Sequence, residues 1–162
     1  MASLLRKPFS ALTSLVEPPP PGSRRRAVWN RFTGFNNLVY RAPGGRLMGS
    51  YDGNPVVLLH HVGRRSGEAR VTPLIYLEDG GDIVVVGSMG GTPKDPAWVH
   101  NLRAQPATEV EVRRERRAVT ARVADAEERA RLWPLITEKH KNYAGYQTRT
   151  DREIPLVLLE PA

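Results

Sequence analysis

Short apolar segments separated by turn residues fill the chain from about residue 54 to its C-terminus. Such segments predict strands when they lie between clusters of Gly, Pro and Asp. Six segments fit this description: 55–61, 69–77, 83–87, 109–113, 118–123 and 154–160. In 109–113 and 118–123 the valines share one face and leave the charged residues on the other, which is typical of a half-buried antiparallel sheet.

Two further stretches have helical spacing. The first is expected to begin with Asp95 as its N-cap and Pro96 as its first helical residue. Trp98, Asn101 and Leu102 then share one face, because residues three and four apart are neighbours on a helix.

The second helix is predicted to begin at Asp125, because Glu128 three residues later completes an acidic form of the capping box. Pro134 is expected to kink or restart it. Pro73 cannot donate to a strand ladder, so its strand is expected to be at an edge or bulged there. About six strands with two intervening helices predict a mainly β fold with helices (α+β), either a small barrel or a rolled sheet.

Residues 1–26 are predicted to be an appendage to a domain at 27–162. Apolar residues recur in the appendage at helical spacing before a run of prolines: Leu5, Phe9, Leu12 and Val16. The apolar run is too interrupted for a secretory signal, so a cytoplasmic protein is expected. The appendage is interpreted as a peripheral contact with the inner face of the cell membrane, or as a helix docked on its own domain.

Composition excludes several function classes. The 162 residues suffice for one domain and include no cysteine, so neither a thiolate nucleophile nor a zinc ribbon is available. No metal is expected from four histidines without HExxH spacing. Residues 1–30 contribute +4 of the net charge of +7. The remainder is nearly balanced, and without clustered cations among aromatic residues no nucleic-acid partner is expected.

The sequence Gly-Arg-Arg-Ser-Gly at 63–67 is the first candidate for chemistry, with Arg70 on the following strand. The glycines allow a sharp turn, and the guanidinium groups of Arg64 and Arg65 can each offer two hydrogen bonds to phosphate or carboxylate. The segment is interpreted either as an anion site or as a solvated hairpin tip.

The second candidate is Gly-Ser-Met-Gly-Gly at 87–91, where glycines would let a flat ligand approach the backbone. A flexible connection is the alternative. Trp98 and Asn101 could line the binding site of such a ligand. Alternatively, Trp98 could be a core residue and Asn101 a surface residue.

Aromatic residues at the end of the second predicted helix are the third candidate. His140, Tyr143 and Tyr146 recur every three residues and could cover a pocket or only pack. His60 and His61 are adjacent on a strand and must point to opposite faces, so at most one of them faces a ligand.

In order along the chain, these segments resemble the deazaflavin-dependent nitroreductase family, whose members use coenzyme F420 on a split β-barrel of the FMN-binding type. The resemblance begins near Val28 and is carried by GRRSGEARVTPLIYLEDGG, VVVGSMGGTPKDPAWVHNLRAQP, AEERARLWPLITEKH and NYAGYQTRTDREIPLVLLEP. It implies an oxidoreductase that delivers a hydride from the reduced coenzyme to a small-molecule acceptor: a quinone, an enone or a nitroaromatic compound.

The resemblance also implies roles for individual residues. The anionic phosphate and glutamate tail of the coenzyme would be held by Arg64, Arg65, Ser66 and Arg70. The ring would be contacted by Thr72, Pro73, Gly87, Ser88, Met89, Gly90, Trp98 and Asn101. The substrate would be covered by Tyr76, His140, Tyr143 and Tyr146. The catalytic donors would be Ser88, Tyr143 and Tyr146.

Met89 stands where relatives often carry Lys, and Thr72 where Asn is usual. These departures bear on substrate preference more than on coenzyme binding. Two other functions fit the same barrel: an FMN- or haem-binding protein, and a non-catalytic protein that sequesters the coenzyme or an apolar molecule. The sequence leaves the oligomeric state open.

Overall fold

A computed structural model of the protein describes residues 50–51 and 53–162. The appendage predicted at residues 1–26 lies outside the described residues. The strands are β1 (Ser50–Tyr51), β2 (Asn54–Val62), β3 (Ala69–Asp79), β4 (Asp82–Val86), β5 (Ala107–Val112), β6 (Glu115–Val123) and β7 (Leu156–Pro161). The helices are α1 (Ala97–Ala104), α2 (Ala126–Lys139) and α3 (Asn142–Gln147), with a 3-10 turn at Met89–Gly91.

Six strands form a closed antiparallel barrel. The strands pair in the order β1-β2-β3-β4-β7-β6-β5, and β5 pairs again with β2 through Leu58–Glu111, Leu59–Val110 and His60–Glu109. This second pairing closes strands β2 to β7 into a barrel, as the pattern of short strands predicted. The prediction of a mainly β barrel with helices is confirmed.

The barrel interior is filled from every strand. Alternate side chains point inward, so Val57 and Leu59 of β2 meet Val110 of β5 and Leu159 of β7 in one buried cluster. Helix α1 adds residues to this cluster: Trp98, Val99 and Leu102. A helix that follows β4 therefore reaches the same core as the strands.

A second apolar layer covers the outside of β4 and β7. Leu132 and Ile136 of α2 pack on Val84 and Leu158, and all four side chains are at most 2% exposed. Because β4 and β7 are covered on both faces, their sequences are nearly continuous apolar runs rather than alternating ones.

The predicted start of the first helix is wrong. Pro96 is the N-cap of α1 and no side chain caps the helix. The Asp95 carboxylate instead accepts hydrogen bonds from Arg103 and Arg152, at 2.8 Å and 2.9 Å. Two guanidinium groups therefore take the oxygens that a capping aspartate would offer to the helix.

The predicted capping box of the second helix is confirmed. The Glu128 amide donates to Asp125 Oδ1 at 2.8 Å, and the Asp125 amide donates to Glu128 Oε2 at 3.0 Å. The helix does not restart at Pro134 but continues to Lys139. The amide that Pro134 lacks would have bonded the carbonyl of Ala130, an exposed residue, so the loss is tolerated at the surface.

Pro73 lies where β3 has only one neighbouring strand among the described residues. It pairs with Leu58 of β2, whereas β4 joins β3 only from Tyr76 onward. The strand register is continuous through Pro73, so the edge alternative is confirmed and the bulge is not found. The backbone of β3 near Thr72 and Pro73 is thereby left open on one side.

Candidate functional site

The arginine turn, residues 63–67, is a tight connection between β2 and β3. The Gly67 amide donates to the Gly63 carbonyl at 2.7 Å, and Gly67 has a left-handed φ of 70°. A Cβ on Gly63 would lie 2.5 Å from Ser66 Oγ. The turn therefore requires Gly67 for its conformation, and a side chain at position 63 would require the Ser66 hydroxyl to move.

Two guanidinium groups of the arginine turn are available to a ligand. Arg64 and Arg65 are exposed, and within the described part of the chain their side chains make no ion pair. Arg70, on the adjoining strand, pairs with Glu68 at 2.8 Å, but its side chain is 53% exposed. Such a surface pair contributes little stability, so an anionic ligand could displace Glu68 at small cost.

A buried hydrogen-bonded chain lies beneath the arginine turn. The Arg64 backbone amide contacts Asn101 Oδ1 at 3.0 Å, Asn101 Nδ2 contacts His61 Nδ1 at 3.0 Å, and His61 Nε2 contacts Thr72 Oγ1 at 2.9 Å. His61 and Asn101 are only 7% and 6% exposed. The chain joins the turn to α1, β2 and β3.

The two adjacent histidines face opposite sides, as predicted. His60 lies near Glu111 and Arg116 on the outer side, whereas His61 points inward. Burial, with Arg70 and His60 nearby, lowers the pKa of His61 to about 4. His61 is therefore neutral at physiological pH.

The glycine loop, residues 87–91, is shaped mainly by its own chain. A Cβ on Gly87 would lie 2.8 Å from Pro155 Cγ and 3.0 Å from Val99 Cγ2, and one on Gly91 would collide with the Tyr146 carbonyl. The space beside these two glycines is therefore filled by neighbouring segments of the protein, whereas the sequence predicted that a ligand would fill it. Met89 has a left-handed φ of 46°, an uncommon value for a residue with a side chain.

Arg152 holds the glycine loop in place. Its guanidinium donates to the carbonyls of Gly87 at 3.1 Å, Ser88 at 2.9 Å and Thr92 at 2.8 Å, and to Asp95 Oδ1 at 2.9 Å. Its side chain is only 15% exposed. Arg152 is not among the site residues predicted from the sequence, because nothing in the local pattern around it indicates contacts with a loop about 60 positions earlier.

The predicted aromatic group forms, but on a different element. His140 caps the end of α2, while Tyr143 and Tyr146 lie on α3. The rings of His140 and Tyr143 meet edge to face with centroids 5.8 Å apart, and those of Tyr143 and Tyr146 at 5.9 Å. Gly91 abuts the Tyr146 carbonyl, so this group lies against the glycine loop.

Burial, with Tyr146 nearby, raises the pKa of Tyr143 to about 12. Its hydroxyl therefore stays protonated and can donate a hydrogen bond at neutral pH. Burial and Lys139 lower the pKa of His140. The group offers neutral donors, and the Arg149 guanidinium lies over the Tyr146 ring, 5.4 Å from its centroid.

Not every predicted site residue is brought into this region. Tyr76 is 4% exposed and lies in the barrel-interior cluster, whereas Tyr143 and Tyr146 border the cluster outside β4 and β7. Trp98 is also an interior residue, 6% exposed. Asn101 uses its amide within the protein, on Arg64 and His61.

Helix α1 connects the two candidate segments. Its Val99 lies against Gly87 of the glycine loop, and its Asn101 accepts from the arginine turn. The arginine turn and the glycine loop therefore both contact the same short helix, α1. In the described ranges, no helix is long and apolar enough to cross a membrane, and no group of three potential metal ligands is found.

Comparison with known proteins points to one family. The model of the F420H(2)-dependent quinone reductase family matches residues 34–161. The F420H(2)-dependent quinone reductase Rv1261c of Mycobacterium tuberculosis is 39% identical over 129 residues, which cover 77% of this chain and 87% of that protein.

Two solved structures are also similar to this chain. A structure of an F420-H2 dependent reductase, FDR-A, has a TM-score of 0.60 at 40% identity, covering 65% of this chain and 94% of that one. A second structure, described as a domain-swapped dimer, has a TM-score of 0.62 at 34% identity, covering 80% of this chain and 99% of that one.

The buried neutral His61 predicts acid sensitivity. Its pKa is about 4 in the folded protein against 6.5 in an unfolded chain, so the unfolded state binds more protons as the pH falls from 6.5 to 4. The free energy of unfolding should drop by on the order of 2 kcal/mol between pH 7 and 4.5, measured by urea denaturation. His61→Gln should remove this component and His60→Gln should retain it. Equal pH slopes in all three proteins would contradict the assignment.

Proposed function

This chain belongs to the F420H(2)-dependent quinone reductase family, and we propose that it transfers a hydride from the reduced deazaflavin coenzyme F420 to a quinone, or to a related enone or nitroaromatic acceptor. Among the residues of this chain, the arginine turn gives the main support for the proposal. Arg64 and Arg65 are exposed and unpaired in the described part of the chain, while the backbone that bears them is held by buried Asn101.

The chemistry of this turn fits an anionic tail. Two free guanidinium groups and the hydroxyl of Ser66, on a backbone fixed by two glycines, provide donors for phosphate and carboxylate groups. Arg70 can join them if Glu68 turns away. We therefore assign the tail of the coenzyme to Arg64, Arg65, Ser66 and Arg70.

The ring of the coenzyme is assigned to the surface between the turn and the aromatic group. Thr72 and Pro73 lie on the open side of β3, and Ser88, Met89 and Gly90 lie on the clamped loop. Gly87 and Asn101 are proposed to support this surface from behind, since Gly87 packs against Pro155 and Val99 and Asn101 bonds the Arg64 amide. Trp98 lies in the barrel interior and, as a ring contact, remains a prediction without support from this geometry. A rigid wall is useful because a hydride is transferred efficiently only when donor and acceptor are held close and aligned.

The bound coenzyme supplies the hydride chemistry. The protein orients the acceptor and stabilises the negative charge that develops on its oxygen. Tyr143 is suited to this task because its hydroxyl stays protonated, with a pKa of about 12. Ser88 and Tyr146 are the other proposed donors. Tyr143, Tyr146 and His140 cover the acceptor and exclude water. Tyr76, which lies inside the barrel, remains a prediction without support from this geometry.

One experiment tests the activity directly. The full chain is titrated with reduced F420, and oxidation of the coenzyme is then followed after addition of menadione, a soluble quinone. Binding followed by quinone-dependent oxidation supports a reductase. Tight binding without oxidation supports a sequestering protein, and absence of binding contradicts the proposal.

Removing the two free cations should weaken coenzyme binding. Arg64→Ala combined with Arg65→Ala should raise the dissociation constant for F420 at least about tenfold, the equivalent of roughly 1.4 kcal/mol. Arg113→Ala combined with Arg114→Ala, at the exposed β5–β6 turn, is the control with the same loss of charge. An unchanged constant in the first variant, or equal losses in both, would place the tail elsewhere.

Loss of the Tyr143 hydroxyl should affect turnover more than coenzyme affinity. Tyr143→Phe keeps the ring packed against His140 and Tyr146 and removes only the donor. We expect kcat with menadione to fall about tenfold or more, while the dissociation constant for F420 changes less than about twofold. Equal effects on both quantities would make Tyr143 a structural residue.

Residues 1–26 are proposed to provide a peripheral membrane contact, which would bring the enzyme near lipid-soluble quinones. The support is their sequence alone: a helical apolar spacing beside Arg6 and Lys7. Deleting residues 1–26 should release the protein from vesicles that contain anionic lipid, measured by co-sedimentation. Equal sedimentation of the full chain and the truncated chain would reject the contact.

A further inference from the structure

Resting on the proposed function, we propose that His61 is a positioning residue: together with Asn101 it ties the arginine turn to Thr72 and orients the Thr72 hydroxyl as a hydrogen-bond donor toward the bound ring. His61 does not touch the ligand itself. It acts through its two ring nitrogens, each of which contacts a different part of the site.

The direction of every hydrogen bond in this chain follows from its first member. A backbone amide can only donate, so the Asn101 atom that lies 3.0 Å from Arg64 N must be the carbonyl oxygen. The Asn101 amide nitrogen is then the atom that faces His61 Nδ1 at 3.0 Å. Because an amide nitrogen only donates, His61 Nδ1 is the acceptor.

The proton of neutral His61 is therefore on Nε2. This nitrogen lies 2.9 Å from Thr72 Oγ1 and donates to it. Since the hydroxyl oxygen already accepts from His61, the hydrogen of Thr72 is directed away from the imidazole and toward another acceptor. The hydrogen-bond chain thus sets Thr72 as a donor.

The surroundings of His61 favour this neutral form. The imidazole and the Asn101 amide are almost completely buried, so loss of one partner would leave a buried polar group unsatisfied. The charged or titratable groups that act on His61 are Arg70 and His60, and both disfavour a positive charge on its ring. A protonated imidazole would also place an N–H against the Asn101 amide donor.

The position of Thr72 makes this orientation useful. Thr72 is half-buried and precedes Pro73 on the part of β3 that pairs only with β2 among the described strands. A ligand lying along this open side would find a donor whose direction is fixed before binding. Pre-oriented donors suit a carbonyl or anionic ring oxygen, because no reorganisation is needed on binding. The same hydrogen-bond chain couples that donor to the turn proposed to hold the tail.

The first test needs no coenzyme. Two-bond ¹⁵N–¹H correlation spectra of the full chain, with the histidines labelled on their ring nitrogens, report which nitrogen carries the proton at pH 7. We expect His61 to be neutral with its proton on Nε2, and His61→Gln assigns the signal. A proton on Nδ1, or a charged ring, would overturn the proposal whether or not the protein binds F420.

The second test separates the two ends of the chain. In His61→Asn, the side-chain oxygen can replace the Nδ1 acceptor, but the donor to Thr72 is lost. In His61→Gln, the side-chain nitrogen can replace the Nε2 donor, but the acceptor for Asn101 is lost. The Asn variant should lower kcat with menadione at least about fivefold, like Thr72→Val, because the ring loses the donor that aligns it. The F420 dissociation constant should change less, because the arginine turn still holds the tail. The Gln variant should raise that constant at least about fivefold.

Rescue and control variants complete the design. Thr72→Ser keeps the hydroxyl and should retain kcat, whereas Thr72→Val should not. His60→Gln, on the outer side of β2, should match the wild type in both quantities. Equal losses of kcat and affinity in both His61 variants, or wild-type behaviour of both, would overturn the positioning role. If the wild-type chain neither binds nor oxidises F420, the proposed function fails, while the spectra still decide the direction of the hydrogen bonds.

Discussion

The packing of helix α1 into the end of the barrel is the constraint from which the site follows. Trp98, Val99 and Leu102 are buried with the inward side chains of the strands, and such burial is worth about 1.5–3 kcal/mol for each large apolar side chain. Once these residues are packed, the positions of the other side chains of the same helix are set as well. Asn101 must lie beneath the arginine turn, and Val99 must lie against Gly87.

Polar groups then adapt to positions that apolar packing has set. Arg152 illustrates this, because its largely buried guanidinium donates to three loop carbonyls and to the Asp95 carboxylate, which also accepts from Arg103. His61 and Asn101 do the same on the other side of α1. The anchored face of the proposed site is therefore rigid, while the side chains of Arg64 and Arg65, which we propose to hold the coenzyme tail, remain exposed. Binding of a flat, anionic ligand to such a site would order little backbone, and its entropic cost would fall mainly on these two side chains.

The two halves of the site differ in chemistry. The arginine turn is cationic and solvated, whereas the group of His140, Tyr143 and Tyr146 offers aromatic rings and protonated hydroxyls, with the Arg149 guanidinium over the Tyr146 ring. This contrast matches a reaction in which a charged carrier and an apolar acceptor must meet. In the proposed site, the first half would select its ligand by charge complementarity and the second by exclusion of water.

The sequence by itself determined the six strands of the barrel, the capping box at Asp125 and Glu128, and the resemblance to a deazaflavin-using family, because these depend on periodicity and local spacing. It also indicated the arginine turn. Only the tertiary structure decided that Asp95 bonds Arg152 instead of capping a helix, that Tyr76 is separated from Tyr143, and that His61 and Asn101 form one hydrogen-bonded chain. These contacts join residues 40 or more positions apart in the cases of His61 with Asn101 and Asp95 with Arg152. Barrel closure and the packing of α1 bring such residues together, and no local pattern of residues encodes that geometry.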